Sequence, residues 1–220
     1  MATPKTIGSG EIHAAIERLA AAISKRHAGE KNLLLLLGIA NGGVAVAKRL
    51  AAILSRSPGL KQTKGLKAPR PSPMTSHPQV TAGVLDISFH RDDIGRHPIP
   101  KEFAPTHIPA DVQGAMVILV DDVLFSGRTV KAALDELFDH GRPTKVELAV
   151  LVDRGGHLLP IAADYAGLTL TAGPEERVVV TLDSKNPKFD AVSVLPKPPS
   201  KLAPARRSLD EVGNPKSKIR

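Results

Sequence analysis

The chain has no cysteine and no tryptophan, and only 3% of its 220 residues are aromatic. The absence of cysteine excludes a disulfide framework and thiolate metal sites. No stretch approaches the roughly 18 uninterrupted apolar residues of a membrane span, and the N-terminus lacks the basic and then apolar pattern of a signal peptide. Few aromatic side chains also means few stacking platforms for nucleic acid bases. These absences predict a cytoplasmic protein without a membrane-spanning segment.

The net charge of +8 is distributed unevenly. Residues 55–78 carry five Lys or Arg and no acid, and residues 195–220 carry seven against two acids, so each segment has +5 and the remaining chain has −2. Ten of the 19 prolines also lie in these two segments. Because both lack apolar periodicity, we predict that they are a disordered insertion and a disordered tail. Residues 1–194 are then expected to form one domain.

Apolar runs and amphipathic stretches alternate along most of the chain. Strands are predicted at residues 33–37, 83–90, 117–120, 146–152 and 178–182, and a long polar loop at 91–112. Three helices are predicted from apolar residues at helical spacing, which are Ile12, Ile16, Leu19, Ala20 and Ile23, then Val44, Ala47, Leu50, Ala51 and Leu54, then Val130, Ala133, Leu134, Leu137 and Phe138. This alternation predicts an α/β fold with a doubly wound, mostly parallel sheet.

The most informative segment is 117–129, VILVDDVLFSGRT. An apolar strand leads to two adjacent acids, Asp121 and Asp122, and the turn Ser126-Gly127-Arg128-Thr129 then opens a helix. At the carboxyl end of a strand, the backbone N–H groups of such a turn can bind a phosphate at the positive end of the helix dipole. The paired carboxylates can accept hydrogen bonds from vicinal hydroxyls. A phosphate beside a diol describes a ribose 5-phosphate.

A glycine-rich segment, residues 38–43, also follows a buried strand and ends in Asn41-Gly42-Gly43. Glycine lets backbone N–H groups approach an anion closely, so this segment is a candidate second anion site. The alternative is a structural glycine pair between strand and helix.

Two further segments are weaker candidates. Arg91 opens the 91–112 loop and could pair with the charge of a leaving group, although the loop could equally be a solvated surface segment. Asp153-Arg154-Gly155-Gly156 lies at another strand end, where open backbone groups could contact a planar base, or could form only a tight turn.

The segment 117–129 resembles the motif with which type I phosphoribosyltransferases bind 5-phosphoribosyl 1-pyrophosphate (PRPP). Taken in order, several stretches resemble the family of the bifunctional pyr operon regulator and uracil phosphoribosyltransferase: GIANGGVAVAKRL, LDISFHRDDI, VILVDDVLFSGRTVKAALDELFDHGRP, LAVLVDRGGHLLPIAADYAG and EERVVVTLD. The resemblance implies the type I fold with a small hood and a flexible loop. It also implies a homo-oligomer, and a reaction of uracil with PRPP that gives UMP and pyrophosphate, with Mg²⁺ accompanying PRPP.

The resemblance assigns roles to the candidate residues. Asp121 and Asp122 would hold the ribose hydroxyls, and the Mg²⁺ that accompanies PRPP could lie near them. Arg91 would assist catalysis from the loop. The remaining roles fall into three sets: Ser126, Gly127, Arg128 and Thr129 for the 5-phosphate, Asn41, Gly42 and Gly43 for pyrophosphate, and Phe125, Asp153 and Arg154 for the base. Phe125 stands where enzymes for 6-oxopurines have an acid, which favours a pyrimidine.

The chain departs from the family pattern at several positions near the base. Arg154-Gly155-Gly156-His157 replaces the usual Arg-Gly-His-Arg, Asn41 stands where Thr is commoner, and Lys131 replaces an Arg. Three functions therefore stay open: a uracil phosphoribosyltransferase that also regulates pyrimidine genes, a UMP-responsive protein that binds pyr leader RNA with weak or no catalysis, and a phosphoribosyltransferase for another base. The basic segments could add nonspecific affinity for nucleic acid or could be solvated without a partner.

Overall fold

The computed structural model describes residues 6–30, 33–56, 61–62, 79–92 and 105–197. Its helices are α1 (Ser9–Arg26), α2 (Gly42–Leu54) and α3 (Arg128–Asp139). The strands are β1 (Thr6–Gly8), β2 (Leu34–Ile39), β3 (Lys61–Gln62), β4 (Gln79–Leu85), β5 (Met116–Leu124), β6 (Lys145–Asp153), β7 (Tyr165–Thr169), β8 (Glu176–Thr181) and β9 (Ala191–Pro196).

Six strands form one sheet in the order β3-β4-β2-β5-β6-β7, and every pairing in it is parallel. All six residues of β2 are buried. A strand that is covered on both faces needs a continuous apolar run rather than an alternating one, which explains the sequence LLLLGI.

Helices cover both faces of this sheet. Leu34 and Leu36 of β2 belong to the apolar cluster beneath α1 and α2, whereas Leu35 and Leu37 belong to the cluster beneath α3. The predicted α/β fold with helices on both faces is therefore confirmed. Among the described residues, no helix has the length and apolarity that crossing a bilayer requires.

A second, three-stranded antiparallel sheet in the order β1-β9-β8 forms a small hood. Val192 of the hood is fully buried in the cluster beneath α1 and α2. Arg49 of α2 also anchors the hood, because its Nη2 donates to Asp190 Oδ1 at 3.0 Å and to the Asp183 carbonyl at 2.8 Å. The sequence predicted β8 but not β1, β3, β7 or β9. β1, β3 and β7 are short strands at sheet edges, whereas β9 lies between β1 and β8.

The predicted strand at 83–90 was wrong in its bounds, since β4 runs from Gln79 to Leu85. The Asp86 carboxylate accepts hydrogen bonds from the Ser88 N–H and hydroxyl, and the His90 N–H donates to the Ile87 carbonyl. The chain therefore turns after β4, and Phe89 is 68% exposed instead of sharing the buried side of Leu85 and Ile87.

The predicted disorder of 55–78 and 195–220 lies mostly outside the described residues. Within those ranges, Lys61 and Gln62 pair in parallel with β4, and Leu195 and Pro196 complete β9. Residues 93–104 of the predicted loop also lie outside the described residues.

Candidate active site

The acid pair lies inside β5, because that strand continues to Leu124 rather than ending at Val120 as predicted. Asp121 is buried, with 5% of its surface exposed, and Asp122 is half-buried. Burial raises the pKa of Asp121 well above its ordinary value, and the negative charge of Asp122 raises it further. Burial also raises the pKa of Asp122. A cation or hydroxyl donor that binds beside Asp121 and Asp122 would therefore stabilise their ionised carboxylates.

The turn after β5 has the shape that the sequence predicted. Gly127 has a positive φ of 87°, a conformation that favours glycine, and α3 begins at the next residue. The Ser126 hydroxyl accepts a hydrogen bond from the Arg128 N–H at 3.3 Å. α3 thus begins just beyond the carboxyl end of β5, and the start of a helix after a strand is an arrangement that can bind anions.

The glycine-rich segment lies directly against the acid pair. A Cβ on Gly42 would overlap the Asp122 carboxylate, and one on Gly43 would overlap the Val120 carbonyl oxygen. A Cβ on Gly38 would lie 2.6 Å from the Val44 Cα. The start of α2 can therefore approach β5 this closely only because these positions have no side chain. The structural interpretation of the glycines holds, and it also places the segment beside Asp122.

Asn41 lies at the N-terminal cap of α2 and is exposed. Its side chain makes no capping hydrogen bond, and the Ala40–Asn41 peptide bond is cis.

Arg91 lies beside the predicted phosphate turn, residues 126–129. A cavity of about 230 Å³ is lined by Ile87, Arg91, Asp92, Ser126, Arg128 and Thr129. Arg128 Nη2 forms a 2.6 Å ion pair with Asp92 Oδ1 across it. The start of the loop is thus connected to the turn through a residue, Asp92, to which the sequence analysis gave no role. Its position next to Arg91 was the only signal.

Phe125 and Arg154, which were predicted to bind the base, form a stacked pair. The Arg154 guanidinium carbon lies 3.9 Å from the centre of the Phe125 ring, within the range of a cation–π interaction. Arg154 is 6% exposed and donates to the carbonyls of Glu176 at 3.2 Å and of Ala172 and Gly173 at 3.4 Å. Since its hydrogen bonds go to backbone, Arg154 acts here by holding Phe125 and the segment before β8.

The neighbouring loop is organised by Asp153. Its Oδ1 accepts hydrogen bonds from the Gly155 N–H and from His157 Nε2, both at 2.9 Å. His157 is one of the departures from the family pattern, and the structure shows that it closes this loop. The N–H groups of Leu158 and Leu159 donate to the Ser126 carbonyl at 3.1 Å, which joins the loop to the phosphate turn.

The candidate residues therefore lie around one edge of the sheet, after or near the carboxyl ends of β2, β4, β5 and β6. In open α/β sheets this edge is where ligands bind. The described geometry offers an anion site at the start of α3, a buried acid pair, a glycine-lined approach and an aromatic ring in sequence along that edge.

Comparison with known proteins gives a consistent result. The family model of the phosphoribosyl transferase domain matches residues 8–185. Among curated proteins, the chain is 38% identical over 196 residues to a bifunctional protein PyrR of Roseiflexus sp. (strain RS-1), covering 89% of this chain and 96% of the relative. It is 43% identical over 187 residues to the bifunctional protein PyrR of Deinococcus radiodurans, covering 83% and 90%.

Solved structures show the same fold at lower sequence identity. A hypoxanthine-guanine phosphoribosyltransferase of Bacillus anthracis superposes with a TM-score of 0.56 at 18% identity and covers 86% of this chain and 96% of its own. A hypoxanthine phosphoribosyl transferase of Trypanosoma cruzi gives 0.56 at 18% identity and covers 87% and 91%. The chain therefore belongs to the phosphoribosyltransferase family, and within it to the bifunctional PyrR proteins.

Proposed function

We propose that this protein is a uracil phosphoribosyltransferase, which transfers the ribose 5-phosphate of PRPP to uracil and releases pyrophosphate. The observation that carries the proposal is how close Gly42 lies to the Asp122 carboxylate, which leaves no room for a Cβ. The candidate pyrophosphate segment therefore lies beside the acid pair that is proposed to hold the ribose hydroxyls. The chain is 37–45% identical to proteins named bifunctional PyrR, and its membership of their family supports the choice of uracil.

The ribose 5-phosphate end uses β5 and the turn that follows. Asp121 and Asp122 accept hydrogen bonds from the ribose hydroxyls, and the backbone N–H groups and hydroxyls of the 126–129 turn bind the 5-phosphate. Arg128 is paired with Asp92 in this structure, so phosphate competes with Asp92 for the guanidinium. A bidentate contact between guanidinium and phosphate is favourable, so phosphate can replace Asp92 as the partner of Arg128.

The pyrophosphate end uses Asn41, Gly42 and Gly43 at the start of α2, with Arg91 contributing positive charge from the loop. As the bond from C1 of ribose to the pyrophosphate oxygen breaks, positive charge develops on the sugar and negative charge on the leaving group. The bond from C1 to the base nitrogen forms, and that nitrogen releases its proton to water. The protein contributes positioning and charge stabilisation rather than a covalent intermediate.

The base lies next to Phe125. The aromatic ring offers a flat apolar surface and no carboxylate, which suits a pyrimidine better than a 6-oxopurine. Asp153 and the Gly155–Gly156 backbone frame the other edge of the base, while Arg154 holds the ring of Phe125 in place.

Mg²⁺ is the cofactor that this family generally uses with PRPP. The carboxylate oxygens of Asp121 and Asp122 are ligands of the kind that Mg²⁺ prefers, and the raised pKa of both groups shows that negative charge there is poorly compensated within the fold. When bound, the ion neutralises pyrophosphate charge.

A regulatory role is the second proposed function, since the relatives are named bifunctional. The partner would be a pyr leader RNA, bound when UMP occupies the site, and the basic residues of 55–78 and 195–220 would strengthen that binding nonspecifically. Filter binding with and without UMP across a salt series tests this. Binding that is tight, depends on UMP and survives moderate salt supports the regulator. Binding that is insensitive to UMP and disappears with salt restricts the basic segments to nonspecific contact.

Homo-oligomerisation likewise stays a prediction, to be measured by light scattering.

A panel of free bases tests the enzymatic proposal most directly. The full-length protein is incubated with PRPP and Mg²⁺ and with uracil, cytosine, hypoxanthine or guanine, and pyrophosphate release is followed. We expect release with uracil alone. A faster reaction with hypoxanthine would move the substrate assignment to purines, and no release with any base would leave only the regulatory function.

A further inference from the structure

Four titratable side chains meet at the C-terminal end of α3, whereas the phosphate turn lies at its N-terminal end. His90 Nε2 is 3.1 Å from Glu136 Oε2 and 3.3 Å from Asp139 Oδ2. His140 Nε2 is 3.0 Å from the other oxygen, Glu136 Oε1. The proposed reaction uses none of these residues, although all four lie within the stretches that resemble the family.

The sequence explains how the cluster forms. Glu136, Asp139 and His140 are separated by three and four positions on α3, so their side chains share one helix face. His90 comes from the turn after β4, where its N–H donates to the Ile87 carbonyl at 3.0 Å. One imidazole and two carboxylates from two distant segments thus converge, and their ligand atoms all lie within 4.8 Å of one another.

We propose that His90, Glu136 and Asp139 form a binding site for a divalent transition-metal ion, with Zn²⁺ as the best match. Imidazole and carboxylate ligands suit Zn²⁺, whereas Mg²⁺ and Ca²⁺ prefer oxygen ligands alone. Zinc bonds of about 2.0–2.2 Å in a tetrahedron separate neighbouring ligand atoms by roughly 3.3–3.5 Å. The two separations from His90 Nε2, 3.1 and 3.3 Å, are close to this range, and all three ligand atoms lie within 4.8 Å of one another. Water completes the coordination.

The central ligand, Glu136, is already oriented. The Thr106 hydroxyl donates to its Oε1 at 2.7 Å, and His140 contacts the same oxygen, so Oε2 is left facing His90 and Asp139. Although burial opposes ionisation, these hydrogen bonds from Thr106 and His140 lower the pKa of Glu136. Such outer contacts fix a ligand in its binding conformation and typically contribute to metal affinity.

Binding would also connect two parts of the 91–112 loop to α3. His90 lies just before the loop, next to Arg91, and Thr106 lies in its second half, where its hydroxyl accepts a hydrogen bond from the Asp86 N–H at 2.9 Å. Both meet Glu136. The metal site does not depend on the proposed function, but it would hold the segment that carries Arg91 against the helix that begins at the phosphate turn.

Calorimetric titration of Zn²⁺ into the full-length, chelator-treated protein tests the site, with excess Mg²⁺ present to occupy oxygen-only sites. We expect one saturable equivalent, and we expect His90→Gln and Asp139→Asn each to weaken it about tenfold or more. The matched control is Asp135→Asn on the same helix, since Asp135 pairs with Lys131 at 2.6 Å and is outside the cluster. This control should bind like the unaltered protein.

Cobalt gives a second readout, because tetrahedral Co²⁺ with nitrogen and oxygen ligands absorbs visible light and the bands should vanish in His90→Gln. Asp139 is 69% exposed in its side chain, so Asp139→Asn should keep the fold even if His90→Gln does not, as circular dichroism will show. Absence of saturable binding would mean that the cluster is only a set of ion pairs. Unchanged affinity in the folded Asp139→Asn and His90→Gln variants would place the ion at other residues, and either result overturns the proposal.

Discussion

Two buried acids on neighbouring strands of the same sheet have opposite environments. Glu147, near the start of β6, accepts hydrogen bonds from His27 at 2.8 Å and Tyr165 at 2.7 Å and forms an ion pair with Lys145 at 2.6 Å. Burial alone would raise its pKa, but these partners lower the pKa of Glu147 to about 2. Asp121, near the end of β5, has Asp122 beside it instead, and burial raises its pKa.

The difference follows the two edges of the sheet. The edge at which the strands begin is compensated by the fold's own cations and donors, and it contributes stability. The edge at which they end leaves negative charge for a ligand to compensate. Uncompensated buried charge costs folding free energy, so its presence at the carboxyl edge supports the proposal that ligands bind there.

The largest effect is expected from Asp122→Asn. If Asp122 holds the ribose hydroxyls, its loss should reduce turnover with PRPP and uracil by about 10²–10³-fold, comparable to the loss of one key electrostatic contact in other enzymes. Pyrophosphate release measures this, and the melting temperature checks that the fold is intact. If Asp122→Asn had the same turnover as the unaltered protein, Asp122 would not take part in the reaction.

Glu147→Gln tests the opposite edge. The ordinary pKa of 4.5 falls to about 2 in the fold. A lowered pKa means that the ionised form contributes stability above about pH 4.5 and that this contribution is lost as the pH falls towards 2. The difference is on the order of 3 kcal/mol at neutral pH, at about 1.4 kcal/mol per pKa unit.

Urea unfolding at neutral pH and near pH 3 measures the effect of Glu147→Gln. The variant should be less stable than the unaltered protein at neutral pH, and the gap should narrow in acid while turnover per folded molecule persists. Glu17→Gln, at an exposed position of α1, is the control. A gap of the same size at both pH values would contradict the assigned role of the charge.

Gly42→Ala measures how closely the carboxyl edge is packed. The added methyl group would overlap the Asp122 carboxylate, so we expect the KM for PRPP to rise about tenfold, the equivalent of roughly 1.4 kcal/mol. Gly10→Ala is the matched control, because a Cβ there meets nothing within 4 Å. Similar KM values for the two variants would show that the contact between the two segments is not needed for PRPP binding.

Asp121→Asn is expected to change stability less than Glu147→Gln, and with the opposite sign. A raised pKa means that ionisation costs folding free energy as the pH rises through that value. Removing the charge should therefore raise the free energy of unfolding at neutral pH by about 0.5–2 kcal/mol, the usual range for one stabilising substitution, while activity falls. Urea unfolding at neutral pH compares the free energy of unfolding of Asp121→Asn with that of the unaltered protein. Lower stability would show that Asp121 is compensated after all.

Much of the fold was predictable because it follows from local patterns. The apolar runs of β2, β5 and β6 and the helical spacing in α1, α2 and α3 are properties of short segments. The short edge strands β1 and β7 and the hood strand β9 were missed, since their few residues carry no distinct periodicity and are stabilised by their neighbours. The strand predicted through residue 90 failed because hydrogen bonds to the Asp86 side chain end β4 early.

In the candidate site, the sequence identified the residue types and the family, but not their partners. Arg154 was expected at the base, yet its guanidinium is occupied by Phe125 and by backbone carbonyls from a distant loop. Asp92 and His157 were present in the motifs without a role, and only the structure pairs them with Arg128 and Asp153.

The sequence by itself determined the alternation of strands and helices, the phosphate turn and the acid pair, because each depends on neighbours within a few positions along the chain. Tertiary structure alone decided that Gly42 lies against Asp122, that Glu147 is compensated while Asp121 is not, and that His90 reaches Glu136 and Asp139. Each of these depends on segments brought together by parallel strand pairing and core packing, and the pKa of a buried acid is set by whatever those segments place around it.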